Sequence, residues 1–244
     1  MRLGRLFAPS RPKPSGAPPK CAVVVAAAGS ATRMGRDKLL LPLGDAPVLI
    51  HSLRVFDRCE AVEEIILAAR PESLEEIAAL VRDYGIKKAA KVVAGGKTRP
   101  ESVHNGVLAA REDIPYIAVH DGARPFVTEK ILMDALLAAE KCQAAAAAVP
   151  IVATVKRAEG GLVRETLRRD GLYEIQTPQV FRAELLKAAL ARAIEQGLPI
   201  TDDCMAVEAL GCPVYLTEGS RENIKLTTKA DLPLAEAIAA MRGG

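Results

Sequence analysis

Arg33, Arg36 and Lys38 fall within six positions, directly after Val23-Val24-Val25-Ala26-Ala27-Ala28-Gly29. The run before them is apolar, rich in β-branched residues and stopped by glycine, which predicts a buried strand. Beyond it, small residues let a ligand approach the backbone closely. Exposed amides and fixed cations at the end of a parallel strand suit a polyphosphate. The segment lacks both the G-x-x-x-x-G-K-[ST] spacing of a P-loop and the G-x-G-x-x-G of a dinucleotide fingerprint. An ordinary βα turn with solvated cations is the plain alternative.

Further segments repeat the theme. Gly95-Gly96-Lys97-Thr98-Arg99-Pro100-Glu101-Ser102 ends one apolar run and opens a helical pattern. His120-Asp121-Gly122-Ala123-Arg124-Pro125 ends another. A carboxylate there can bind sugar hydroxyls or approach a metal, and Arg124 can fork onto a phosphate. An internal Asp–Arg pair shaping the loop is the alternative. His120 reads as a packed or orienting residue, since no second histidine or carboxylate sits at ligand spacing. Thr201 before Asp202-Asp203 is a good helix N-cap as well as a candidate contact. Lys225 sits in an apolar frame between Ile224 and Leu226. The chain shows neither a Ser-His-Asp order of familiar spacing nor a cysteine in a charged setting. Cations and hydroxyls at strand ends are what phosphate chemistry by positioning requires.

The elements that must place these residues alternate from Cys21 onward. Strand-like runs lie at 21–26, 64–69, 90–94, 115–120 and 144–149, and helix-like stretches at about 47–58, 72–83, 99–111 and 128–142. This rhythm predicts βαβ units, a parallel sheet and right-handed crossovers, with ligands outside the strand carboxyl ends. Ala144 to Ala148 favours helix by propensity, but its place before Val149-Pro150 predicts a central strand packed on both faces. Residues 150–172 break the pattern. Two short strands around Gly160-Gly161 predict a hairpin that a partner subunit covers. Helices near 182–196 and 202–210, a strand near 213–217 and a helix from about 229 complete the chain.

Composition bounds the remainder. The formal net charge is +3, but residues 1–20 carry five cations and no acid, leaving 28 basic and 30 acidic groups, a balance of −2, elsewhere. The Pro-rich basic leader is expected to be disordered, and residues 21–244 are expected to form a single domain. A slightly acidic body gives no reason to invoke a nucleic-acid footprint, and no nucleic-acid partner is expected. Five scattered cysteines without a C-x-x-C pair read as reduced thiols. Neither a membrane span of about 18 apolar residues nor a secretory signal is evident, so a cytoplasmic location is expected.

Taken in order, the pieces A-A-G-x-x-x-R-M with a following Lys, G-G-x-x-R-x-x-S-V, H-D-G-A-R-P-F, V-P-x-x-x-T-V-K-R, R-x-G-L-Y, Q-T-P-Q-x-F, T-D-D and N-I-K-L-T resemble the 2-C-methyl-D-erythritol 4-phosphate cytidylyltransferase family. The resemblance runs from about Cys21 to the last helix. It implies an α/β, Rossmann-like fold of the nucleotide-diphospho-sugar transferase type, with a mostly parallel central sheet flanked by helices and a protruding β-hairpin arm. It also implies transfer of CMP from CTP to methylerythritol phosphate in isoprenoid biosynthesis, with Mg²⁺ and a homodimer joined through the 150–172 arm. Position by position, Arg33 and Lys38 correspond to the pair at the CTP α-phosphate, and Arg169 and Lys225 to the groups placing the acceptor. Ala27, Ala28, Gly29, Gly96 and Ser102 correspond to cytosine and triphosphate contacts. Asp121, Arg124, Thr154, Thr177 and Thr201 are expected near ribose or sugar phosphate, and Asp121 is the one candidate metal ligand. The chain departs from the family pattern at Ala31, Lys97 and Ala153. A cytidylyltransferase for ribitol 5-phosphate or another sugar phosphate is the neighbouring alternative. A non-catalytic nucleotide-binding regulator is the alternative of another class, disfavoured by the presence of all four cations.

Overall fold

The computed structural model describes residues 18–29 and 38–243. Arg33, Ala31 and the leader up to residue 17 lie outside the described residues. Alternation of apolar strands and amphipathic helices produces a sheet covered on both faces. The elements run β1 (Cys21–Ala27), β2 (Pro42–Leu43), β3 (Ala46–Pro47), α1 (Val48–Arg58), β4 (Val62–Ala69), α2 (Leu74–Asp83), β5 (Ala89–Ala94), α3 (Arg99–Ala109), β6 (Tyr116–Asp121) and α4 (Glu129–Cys142). They continue with β7 (Ala144–Pro150), β8 (Lys156–Glu159), β9 (Leu162–Thr166), β10 (Tyr173–Arg182), α5 (Ala183–Glu195), α6 (Asp203–Glu208), β11 (Tyr215–Glu218) and α7 (Asp231–Met241).

The main sheet has seven strands in the order β11-β7-β10-β6-β1-β4-β5. β1 pairs in parallel with β4 and β6, β4 with β5, and β7 with β11; β10 alone is antiparallel to its neighbours. Successive residues of β1 point to opposite faces. Cys21, Val23, Val25 and Ala27 therefore join the core beneath α1, α2 and α4. Ala22 and Val24 join the second core with α3, α5 and α6. A strand apolar on both faces is what a doubly covered parallel sheet demands.

One unpredicted strand and one corrected expectation stand out. Residues 173–182 form a strand that the sequence did not predict, because Pro178 argues against an interior strand. The register with β7 is interrupted between Ile175 and Gln179, and the Thr177–Pro178 peptide is cis. The alanine run 144–148 is a strand buried on both faces, but it lies second from the edge, between β10 and β11, rather than at the centre. Its small side chains let helices on either side approach closely, and this packing overrides helix propensity.

β8 and β9 form a separate two-stranded antiparallel hairpin around Gly160 and Gly161, both with positive φ. Every residue of both strands is exposed. An isolated hairpin of this length is marginal without a surface to pack on.

Candidate functional site

The sheet places β6 on one side of β1 and β4 on the other, so the strand order reverses beside β1. Crevices at such a switch point, outside the strand carboxyl ends, are where open α/β sheets bind ligands. A cavity of about 290 Å³ lies there, bounded by the loops after β1, β5 and β6 and by Lys225. Lys38, Lys97, Arg99 and Lys225 line it, with Asp121 as the single carboxylate among the described lining residues. Four cations and one carboxylate thus line the cavity, so its described wall is predominantly positive.

Each loop is held by its own chemistry. Thr98 caps α3 in a capping box: its hydroxyl accepts from Glu101 N at 3.3 Å while Glu101 Oε2 accepts from Thr98 N at 3.2 Å. That fixes Arg99 as the first helical residue. Ser102 Oγ accepts from Gly96 N at 3.0 Å and donates to Thr98 O at 2.8 Å, folding the Gly-Gly turn onto the helix. A Cβ on Gly96 would stand 2.2 Å from Glu101 Cβ, so the turn admits no side chain there.

At the end of β6, His120 is fully buried and burial pushes its pKa down to about 4, so the ring is neutral. Its Nε2 lies 3.1 Å from Arg124 O, an acceptor, which places the proton on Nε2. Nδ1 then accepts from the Thr177 hydroxyl at 3.1 Å, and Thr177 Oγ1 accepts from Asp121 N at 3.0 Å. Both ring nitrogens are thus engaged by protein. Asp121 is buried, which by itself would raise its pKa, but Arg99, Lys225 and Arg124 hold the carboxyl well below the ordinary range. Lys225 Nζ stands 2.8 Å from Oδ2, Arg99 Nη2 3.4 Å from Oδ1, and Arg124 Nε 3.7 Å from Oδ2.

Lys225 is delivered by a loop tied across the sheet. Leu226 N donates to Ala123 O at 2.9 Å, and Arg124 Nη1 donates to Asn223 O at 2.7 Å. Asn223 is buried and its Nδ2 donates to Thr177 O at 2.9 Å. Arg124 therefore spends its hydrogen bond on the loop that carries Lys225, and burial lowers its pKa.

The fold brings Lys38, Ala28, Gly29, Gly96, Ser102, Asp121 and Lys225 around one cavity. Ala27 is buried at the end of β1; Arg124 and Thr177 stand behind the cavity wall as supports. Arg169 and Thr154 are exposed at the base of the hairpin, outside the described lining, and Arg169 Nη1 donates to Val152 O. Thr201 is exposed, and it is Asp202, not Thr201, that caps α6 by accepting from Met205 N at 3.0 Å. The sequence reading gave no role to Arg99 or Asn223, although both stand inside its motifs. Their signal was polarity at a strand end, but what they bind lies far along the chain.

Magnesium takes one or two carboxylates, keeps several waters and fills its shell with substrate phosphates. Asp121 is the one carboxylate among the described cavity residues, and a magnesium ion would take one of its oxygens in exchange for the ion pair with Lys225 or Arg99. Among the described residues, no group of three His, Cys, Asp or Glu forms an all-protein site.

Comparison with known proteins agrees with this geometry. A family model described as 2-C-methyl-D-erythritol 4-phosphate cytidylyltransferase (IspD) matches residues 21–241. The chain is 43% identical over 220 residues to the 2-C-methyl-D-erythritol 4-phosphate cytidylyltransferase of Halalkalibacterium halodurans, spanning 89% of this chain and 96% of that one. Among solved structures, 4-diphosphocytidyl-2C-methyl-D-erythritol synthase from Anaerococcus prevotii superposes with a TM-score of 0.80 at 30% identity, covering 90% of this chain and 95% of that one. The 2-C-methyl-D-erythritol 4-phosphate cytidylyltransferase of Thermus thermophilus gives 0.76 at 33% identity, covering 91% and 99%.

Proposed function

The chain belongs to the 2-C-methyl-D-erythritol 4-phosphate cytidylyltransferase family, and from that premise we propose which of its residues carry the reaction. The activity is CTP-dependent transfer of a cytidylyl group to 2-C-methyl-D-erythritol 4-phosphate. The observation that supports the site assignment is the surplus of cations around one cavity at the switch point.

The acceptor is a phosphate monoester, whose second pKa near ~6 leaves it largely dianionic at neutral pH. One of its oxygens attacks the CTP α-phosphorus, a new P–O bond forms, the bond to the β-phosphate oxygen breaks, and pyrophosphate leaves. The nucleophile is already deprotonated, so the site needs no general base. Its task is to bring a dianion to a polyanion in line. Lys38, together with Arg33, neutralises the α-phosphate; Lys225, held at Asp121, faces the incoming acceptor. Asp121 is the residue that would hold a magnesium ion, which when bound supplies charge neutralisation across the phosphates. Arg169 and Thr154 reach a cavity only from a partner: the exposed hairpin of one protomer covers the site of the other in a homodimer. We place the enzyme in the cytoplasm, since its five cysteines are all unpaired thiols, and no helix among the described residues is long and apolar enough to cross a membrane.

Incubation with CTP, Mg²⁺ and methylerythritol phosphate should release pyrophosphate, with ribitol 5-phosphate as the competing acceptor. Lys38→Ala should lower turnover by about 10²–10³-fold, the scale of one lost charge-stabilising group in a water-excluded site. Near-wild-type turnover in folded Lys38→Ala protein would remove that residue from the reaction. CTP binding without pyrophosphate release from any acceptor would instead favour a regulator.

A further inference from the structure

We propose that Asp203 is a positioning residue for the nucleotide cavity and acts through Arg99; the inference rests on the reading that this cavity holds CTP. Asp203 is the first residue of α6, fully buried and outside the described cavity lining. Its Oδ2 accepts from Arg99 Nη2 at 2.9 Å, across 104 residues of sequence. Its Oδ1 is buried without a hydrogen-bond partner among the described residues. A buried carboxylate with one oxygen left over lowers stability, and a well-packed apolar pair at the same place is often no worse for the fold.

The start of α6 does not need this side chain. Gln179 Oε1 accepts from Asp203 N at 3.1 Å and from Cys204 N at 3.2 Å, and Gln179 Nε2 donates to Asp202 Oδ2 at 2.9 Å. Asp202 supplies the cap. What the Asp203 carboxylate holds is the guanidinium of Arg99, which lines the cavity.

The same Nη2 of Arg99 stands 3.4 Å from Asp121 Oδ1, so one cation is shared between two carboxylates. The shorter contact is to Asp203. This division keeps Arg99 from closing fully on Asp121 and leaves Asp121 Oδ2 to Lys225 at 2.8 Å. A triphosphate entering the cavity can draw Arg99 away from Asp121 while Asp203 still anchors it. Without Asp203, Arg99 has one carboxylate left to satisfy it, and its charge is withdrawn from the nucleotide.

The test compares wild type, Asp203→Asn, Arg99→Gln and the double variant by calorimetric titration with CTP, steady-state kinetics and thermal melting. Asp203→Asn should raise the dissociation constant and KM for CTP about tenfold, the scale of one charge-assisted hydrogen bond. Its kcat at saturating CTP should stay within about threefold of wild type, because the reacting groups remain. The double variant should bind CTP no more weakly than Arg99→Gln, since a residue acting through another is non-additive with it. Wild-type CTP affinity in Asp203→Asn, or additive losses in the double variant, would overturn the proposal. Should Asp203→Asn fail to fold, the double variant removes both buried charges and decides the matter: affinity equal to Arg99→Gln supports the coupling, and a further tenfold loss refutes it. A wild-type protein that binds CTP yet releases no pyrophosphate would count against the transfer reaction alone, leaving the affinities to judge the coupling.

Discussion

His120 is neutral, packed edge-on against Phe56 with ring centroids 5.0 Å apart, and satisfied at both nitrogens. Its value to the site is rigidity: it locks Thr177, which locks the backbone of Asp121. This has a pH signature. An unfolded histidine titrates at 6.5 and the folded one at about 4, so the unfolded chain binds more protons between those values. Stability from this residue is present above pH 6.5 and is lost as pH falls towards 4, by roughly 3 kcal/mol. Denaturant titrations of His120→Gln should show a lower plateau at pH 7 and a flatter decline over that window than wild type. Equal slopes would assign the acid sensitivity to other groups. At this scale much of the cavity was legible in the sequence. Lys38, Asp121 and Lys225 stand in motifs whose composition already speaks of anions. Asp203 and Asn223 were not legible as supports, because a partner 104 or 46 residues away is chosen by topology and leaves no local mark.

α3 shows how an element carries a site. Its capping box sets Arg99, Ser102 folds the Gly-Gly turn, and the helix body lies against β1 and β4. Contact is close at Gly106, where a Cβ would stand 2.5 Å from Val24 Cγ1 in the fully buried core. Helix propensity alone would make Gly106→Ala stabilising by ~1 kcal/mol. Overpacking opposes it by about 1–3 kcal/mol, and because Val24 is wedged in a strand with little room to shift, we expect net destabilisation of up to about 2 kcal/mol. Chemical denaturation would show it, and a gain in stability would mean α3 can slide. The parallel strands and most helices were readable from periodicity. β10 was hidden because its proline contradicts the pattern of an interior strand, and the structure admits it only by breaking register with β7.

The described residues form a covered sheet with an uncovered hairpin. Val152, Leu162, Val163 and Tyr173 are exposed on and beside the hairpin at 61%, 65%, 60% and 46%. Apolar exposure of that extent on a segment with no core of its own asks for a protein surface. With the arm across a second protomer, full-length protein should run as a dimer in light scattering after size exclusion. Replacing residues 156–166 by a short Gly-Ser turn should give a monomer that still binds CTP and no longer transfers CMP. A dimer that survives this change would place the interface elsewhere.

The antiparallel β10, wedged between β6 and β7, also dictates an order of events during synthesis. β6 is complete at residue 121, yet the edge it presents stays unpaired until residues 179–182 emerge to cover it. Asp121 waits 56 residues for Thr177, and Arg124 waits 99 for Asn223. The cavity at the switch point is therefore among the last features a nascent chain completes, and such distant closures fold slowly. Until then the molecule carries a bare, apolar β edge, the kind of surface on which growing chains associate wrongly. A chain that stalls before residue 225 has the centre of the sheet but lacks Lys225 and the loop that ties it to Ala123.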